Sequence, residues 1–396
     1  MGKVLLRKIS LQKKTWQGDA LPEMSQAMQA TISNPTRREF LQTLATASAG
    51  LAAGASALAQ GATSVPSRKV KLGLDNFSVR ALKWKAPQLI DYAASLKTDS
   101  LFISDLDAFE SLEDKYLKEI RAKAEDKGLQ IHVGTWSICP TSKRFNAKWG
   151  KAEEHLATGI RVAKALGSPV IRVVLGSAED RQTEGGIYAR SRDTVQVCLA
   201  NRSRALDAEV KIAVENHAGD LHSLELAALI EEAGKDYVGA NMDSGNALWT
   251  LEDPLESLEN LGPYAITTSL RDGAVWEYED GAKVQWTAMG EGHIDWKAYF
   301  KRFAELCPSV PVHIETISGF ARPFPYLKKE YWEVWPEMPA KDFARFAAMA
   351  RRGKPFETVK NPEGKDRAET EQLGQKAEIE RSIKYCKEVL GLGLKA

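Results

Sequence analysis

The sequence is sparing with the residues that would tie it to several common protein classes. Its four cysteines, Cys139, Cys198, Cys307 and Cys386, lie far apart and form no CxxC pair. A scaffold stapled by disulfides is therefore excluded, although a single bridge in an oxidising compartment is not. Past the N-terminal region, no apolar run approaches the roughly 20 residues needed to span a bilayer. Charge of either sign is not in excess: the chain stands at +1, and beyond residue 60 it carries 47 Lys/Arg against 50 Asp/Glu. That balance leaves no basic surface for nucleic acid. Histidine is scarce, with six in all, and the first strand candidate runs into Asp75-Asn76-Phe77-Ser78 rather than a Gly-rich phosphate turn.

What is present is an ordinary globular composition, 43% apolar over 396 residues, enough to bury a large core. The basic excess sits at the front, where the sequence reads Thr36-Arg37-Arg38-Glu39-Phe40-Leu41-Gln42. An Ala-rich apolar stretch follows from Leu44 to Leu58, then the small-residue pattern Ala57-Leu58-Ala59. A charged segment, an apolar segment and an AxA-like site make a secretory signal, and the paired arginines resemble the twin-arginine type. Residues 1–60 are read as that signal, cleaved after Ala59, and residues 61–69 as a linker. The expected location is periplasmic or secreted, with no membrane span after cleavage.

From Val70 onward, eight apolar strand-like runs alternate with amphipathic helical patterns. The strands are Val70–Asp75, Ser100–Ser104, Leu129–Thr135, Val170–Leu175, Lys211–Asn216, Val238–Met242, Ala265–Leu270 and Val310–Glu315. The helices between them include Ala86–Leu96, Lys115–Lys127, Lys151–Leu166, Asp193–Ala208, Ser223–Gly234 and Trp296–Leu306. This alternation predicts an α/β fold, a (β/α)8 TIM barrel over 70–352, in preference to an open doubly wound sheet. Glu330–Met349 is read as the last helical layer, the charged Gly353–Gly374 as a surface excursion and Lys376–Leu390 as a terminal helix. Residues 353–396 thus form a C-terminal helical extension packing on the barrel.

In such barrels the chemistry gathers where strands end. Strand five ends in Glu215-Asn216-His217, strand six in Asp243-Ser244-Gly245-Asn246, strand seven in Ser269-Leu270-Arg271-Asp272, and strand eight in Glu315. Alternation along each strand lets Glu215, Asp243, Ser269 and Glu315 face one axis. Three carboxylates converging there repel unless they are protonated or bound to a cation, and a divalent metal resolves this. A single strand-end carboxylate is more often a helix cap or a salt-bridge partner; three at equivalent ends favour a metal.

These residues, with Gly290-Glu291-Gly292-His293-Ile294-Asp295-Trp296, resemble the xylose-isomerase-like sugar (phosphate) isomerase/epimerase family, in order from about Val70 to Glu315. The resemblance implies metal ligands at Glu215, Asp243 and Glu315 for a divalent ion (Mn, Mg, Co or Zn). It also implies Glu215 and Glu315 as the acid/base pair. The family's remaining ligand is a histidine, and here Ser269 stands in its place. Ser269 then binds through water, or His217 or His293 takes its place, or the metal site has been lost.

His217, Asn246, Arg271, His293 and Trp136 are the expected substrate-binding residues, and aromatic residues from Phe320 to Trp335 are candidates for a lid or for packing. The implied substrate is a small carbohydrate, and a homo-oligomer is left open. The expected reaction is epimerisation or isomerisation of a keto-sugar. A lyase expelling a β-substituent from an oxidised glycoside is the alternative, and a non-catalytic carbohydrate-binding relative is a third reading. A metal-dependent endonuclease is disfavoured by the scarce histidine and the missing basic groove.

Replacing both Arg37 and Arg38 by lysine is expected to leave the protein unprocessed in the cytoplasm, checked by cell fractionation and N-terminal mass analysis. Export of the double variant at the normal level would remove the twin-arginine assignment.

Overall fold

The computed structural model describes residues 70–357 and 366–395; the expected signal and linker lie outside the described residues. Eight parallel strands form one sheet: β1 (Leu72–Asp75), β2 (Ser100–Ile103), β3 (Gln130–Ser137), β4 (Val170–Val174), β5 (Lys211–Glu215), β6 (Val238–Met242), β7 (Ala265–Thr268) and, later in the chain, β10 (Val312–Ile314). The order runs from β10 through β1 to β7. A parallel bridge between Leu270 and Ile314 brings the two ends together, with hydrogen bonds from Leu270 N to His313 O (2.7 Å) and Glu315 N to Leu270 O (2.9 Å). The expected barrel and its eight strands are all present.

The strands are short and apolar because both faces are covered, by helices outside and by one another's side chains within. β4 reads Val-Ile-Arg-Val-Val and is buried throughout. The barrel floor is polar and buried. Ser100 Oγ pairs with His313 Nε2 at 2.9 Å, and His132 Nδ1 with Thr267 Oγ1 at 3.1 Å. Burial pushes His132 down to about 3 and His313 well below its ordinary value, so both rings are neutral core residues.

The outer ring begins with α1 (Ala86–Ser95), α2 (Asp114–Asp126), α3 (Ala152–Leu166), α4 (Gly186–Ala200), α5 (Arg202–Ala208) and α6 (Ser223–Ala233). The single helix expected over Asp193–Ala208 is thus two, broken at Asn201, whose side chain bonds the carbonyls of Val197 (3.1 Å) and Glu153 (3.2 Å). Beyond β6 come α7 (Ser244–Ala247), α8 (Pro254–Leu261) and α9 (Trp296–Leu306).

A second sheet was not anticipated. β8 (Asp272–Tyr278) and β9 (Gly281–Thr287) form an antiparallel hairpin, and β11 (Ala321–Phe324) pairs with β9. The signal was there in Glu279-Asp280-Gly281, a polar turn with a glycine between alternating apolar residues; Glu279 and Asp280 form the loop, and Gly281, at φ +154°, opens β9 opposite Tyr278. The sheet and α10 (Ala340–Arg352) enclose a small core of Leu248, Trp249, Val284, Trp286, Phe324 and Phe346. Most rings of the aromatic segment pack here, while Phe320 stays 44% exposed.

The terminal helix α11 (Arg367–Glu388) starts nine residues before its expected beginning, capped by Asp366. Gln375 Oε1 accepts from Ala81 N (2.9 Å), and Ser382 Oγ accepts from Met289 N (3.0 Å), tying the helix to the turn after β1 and the loop after β9. The four cysteines are buried and free.

Asp272 organises the loop from Gly290 to Trp296. Its carboxylate accepts from Gly273 N (2.8 Å), Gly290 N (2.9 Å), Gly292 N (3.1 Å) and Trp296 Nε1 (2.7 Å). Only glycine fits at 292, where a Cβ would lie 2.2 Å from Asp272 Oδ1. Asp272→Ala leaves several buried donors without an acceptor, and is expected to cost about 3 kcal/mol or more of stability in urea denaturation. A loss below about 1 kcal/mol would show that water replaces the carboxylate readily.

Candidate active site

The C-terminal ends of the strands converge on a cavity of about 200 Å³ lined by Phe77, Trp136, Arg172, His217, Asn246, Trp249, Arg271, Trp286 and Glu315. That is below the ~300–1,000 Å³ of sites for drug-sized ligands, so the cavity suits a small molecule. A wider cleft of about 770 Å³ lies on the outer helical ring, between α3 and α5, away from the strand ends.

Glu215 ends β5, Asp243 follows β6 and Glu315 follows β10, so three different strands bring their carboxylates together. Their oxygens lie within 4.8 Å of one another, and all three side chains are buried. This donor set is one a hard dication accepts. Two arginines already meet it, however. Arg271 Nη2 bonds Asp243 Oδ2 and lies 2.6 Å from Glu315 Oε2, while Arg172 Nε lies 2.7 Å from Glu215 Oε2. A dication therefore fits the three carboxylates only in competition with the Arg271 guanidinium.

The other contacts are equally specific. Asp243 Oδ1 caps the short helix α7, accepting from Gly245 N (2.8 Å) and Asn246 N (2.9 Å). Asn246 Nδ2 bonds Asp243 Oδ2 (2.7 Å) and Glu215 Oε1 (3.2 Å). Asn241 Nδ2 adds a bond to Glu215 Oε2 (2.9 Å). Asp75, at the end of β1, joins as a fourth buried carboxylate through Ser269 Oγ (3.3 Å) and Ser104 Oγ (2.8 Å).

Four carboxylates and two guanidiniums in a dry site strain the protonation equilibria. Burial pushes Asp75 up to about 7, with Glu315 adding to the rise and Arg172 opposing it. Burial also raises Asp243 and Glu315, and Arg271 pulls both back. For Arg271 and Arg172, burial alone would lower the value, but the surrounding carboxylates outweigh it and raise both. Both arginines therefore stay charged.

His217 is held by Nδ1 on the Gly176 carbonyl at 2.7 Å. Burial pushes it down to about 4, partly offset by that bond, so the ring is neutral with Nε2 left as an acceptor. Trp249 and Trp286 stack at 4.2 Å and 10°, forming one wall, and Trp136 meets His217 edge-on at 5.9 Å on another. Aromatic faces beside a polar cleft suit the C–H faces of a sugar ring. Asn246 Oδ1, Trp249 Nε1 and Arg271 Nε are buried without a hydrogen-bond partner among the described residues, and all three residues line the cavity.

The placement of the expected residues is now clear. Glu215, Asp243, Glu315, Asn246, Arg271, His217 and Trp136 come together. His293 does not. Its Nδ1 lies 3.0 Å from the backbone N and O of Val275, on the hairpin and outside the cavity lining, because the Asp272-anchored loop turns it there. Ser269 sits beside Asp75 and Asn241 (3.3 Å each), so its hydroxyl is engaged by protein groups. Sequence reasoning missed Arg172 and Asp75. A lone arginine within the apolar β4 run was a readable signal for the first, and strand one's terminal aspartate for the second.

Fold and site together define a (β/α)8-barrel enzyme with a cluster of buried carboxylates at the ends of barrel strands. More particularly, the chain belongs to the xylose isomerase-like TIM barrel family, whose model matches residues 90–328. It is similar to a protein from Pectobacterium atrosepticum named 3-oxo-isoapionate decarboxylase, 24% identical over 198 residues, which are 50% of this chain and 64% of the relative. The match thus spans less than two thirds of that relative's length. Among solved structures, it shares its fold with D-psicose 3-epimerase in the presence of D-fructose, at TM-score 0.53 and 14% identity over 81% of this chain and 99% of the other. It also shares it with the IOLI protein with a bound zinc atom, at TM-score 0.50 and 16% identity over 70% and 95%.

Arg172→Met removes the counter-charge of Glu215 and Asp75. Breaking a buried pair in this way is expected to cost about 3–5 kcal/mol near pH 8 in urea denaturation. The loss should shrink toward about pH 5, because Asp75, which Arg172 keeps from rising further, then takes up its proton with or without the arginine. A pH-independent loss would place the effect in packing instead.

Proposed function

We propose that the protein is a sugar isomerase or epimerase that moves a proton at a carbon next to the carbonyl of a keto-sugar. The observation that carries this reading is the meeting of Glu215 and Glu315 from two different strands, their oxygens within 4.8 Å, with Glu315 lining a small, aromatic-walled cavity. One carboxylate removes the proton and the other returns it, and burial raises the proton affinity of Glu315. Arg172 and Asn241 hold Glu215, and Arg271 holds Glu315, so each base is aimed before substrate arrives. Asn246 Oδ1, Trp249 Nε1 and the His217 ring are the groups that would orient hydroxyls, and the Trp249–Trp286 pair would bear the ring face.

The family resemblance implies a divalent ion (Mn, Mg, Co or Zn) on Glu215, Asp243 and Glu315 to polarise the carbonyl, at oxygens where the Arg271 guanidinium already bridges Asp243 and Glu315. Export through the twin-arginine route is part of the proposal, and free rather than phosphorylated sugars are the substrates it favours. The likeness to a 3-oxo acid decarboxylase supports a second reading, a lyase that uses the same carbanion-stabilising site to expel a neighbouring group.

In D2O, wild-type protein is expected to exchange the proton α to the carbonyl of a free keto-hexose, read by NMR across a panel of such sugars. Glu215→Gln and Glu315→Gln should each reduce exchange by about 10²–10⁴-fold. The base must be ionised to act, and Glu315 titrates above the ordinary carboxylate range, so the acid limb of the pH–rate profile should be displaced upward. An unsaturated or shortened product would select the lyase, and no exchange with any sugar of the panel would remove the isomerase reading.

A further inference from the structure

The carboxylate cluster and the cation that serves it are separate questions. Three observations bear on the second. First, most of the oxygens a metal would need are already engaged. Both Asp243 oxygens are taken, Oδ1 by the amides of α7 and Oδ2 by Asn246 and Arg271. Glu315 Oε2 faces Arg271 at 2.6 Å, and Glu215 is held by Arg172 (2.7 Å), Asn241 (2.9 Å) and Asn246 (3.2 Å).

Second, Arg271 is locked in place. Its guanidinium lies 4.4 Å from the centre of the Trp286 ring, and its Cγ would be 2.2 Å from a Cβ at Gly245, so the stem fills the space glycine leaves. Its backbone N and O both bond the Ser244 hydroxyl, at 3.1 and 2.7 Å. Third, the imidazole that would strengthen a transition-metal site is missing, and Ser269 gives its hydroxyl to Asp75.

We propose that the resident cation of this site is the Arg271 guanidinium, and that a divalent metal binds well only when Arg271 is removed. A fixed guanidinium bonds two carboxylates at once, and like charge at the same oxygens opposes a dication. Arg271 also lines the cavity, and its Nε–H has no partner among the described residues. It is thereby a preorganised donor for charge developing on a substrate oxygen. The inference rests on Glu215, Asp243 and Glu315 being the reacting cluster, and is independent of which sugar reacts.

The test is binding, not turnover. Untagged wild-type protein and Arg271→Met are titrated with Mn alone, followed by the EPR signal of free Mn and by thermal shift, after metal analysis of the proteins as purified. The expected result is substoichiometric metal in the wild type and at least about tenfold tighter Mn binding in R271M, with a larger thermal shift. One equivalent of metal in purified wild type, or Mn binding as tight as in R271M, overturns the proposal. Arg271→Lys keeps the charge and should bind Mn no better than wild type; strong binding by R271K likewise overturns it. If R271M does not fold, the wild-type titration decides: saturation by one equivalent of Mn overturns the proposal, and failure to saturate with excess Mn upholds it. Loss of sugar exchange with these binding results intact would instead fault only the proposed reaction.

Discussion

Asp75, Glu215, Asp243 and Glu315 are buried together at one end of the barrel, where water cannot screen them, and like charges so placed are tolerated only with counter-charge or protons. Much of the local architecture answers that constraint. Arg172 comes from inside an apolar strand and Arg271 from the end of β7, one to each side of the cluster. Asn241, Asn246 and Ser104 supply neutral donors, and the amides opening α7 supply two more. Remaining strain appears as raised carboxylate proton affinities, the condition a proton-transfer site exploits.

Holding Arg271 in its place depends in turn on the parts of the chain outside the barrel. The β8–β9 hairpin delivers Trp286 against the guanidinium and Trp249, and Gly245 leaves room for the stem. Asp272, the next residue after Arg271, fastens the 290–296 loop to the hairpin's first strand. The distinctive Gly-Glu-Gly-His-Ile-Asp-Trp run is therefore a structural clasp for the site's roof. Its histidine, His293, serves the hairpin backbone rather than the cavity.

The family's fold explains why a barrel can carry either an epimerase-like or a lyase-like outcome. The barrel fixes where strands end, and hence where carboxylates gather; the loops decide what enters and what leaves. Here the cavity is about 200 Å³, and the second sheet contributes Trp286, stacked on Trp249, to its wall. Proton removal beside a carbonyl is the step shared by both outcomes, and the groups that would perform it sit deeper than the loops that would choose between them.

The eight strands were legible because parallel strands covered on both faces must be short continuous apolar runs, and those runs were plain in the chain. Glu215, Asp243 and Glu315 were legible for a similar reason: each follows such a run directly, so the strand's own alternation aims it. The hairpin was missed because its turn pair sat in what read as a loop, and Arg172 because only strand ends were searched for charge. No sequence pattern could say which cation faces the carboxylates. That depends on where a flexible arginine stem is packed, and Arg271 is packed by Gly245, Trp286 and Ser244, residues brought beside it by other strands. Composition and periodicity thus determined the barrel and its acidic mouth. Only tertiary packing decided the electrostatics, because charge pairing in a dry site is set by distances between segments far apart in the chain.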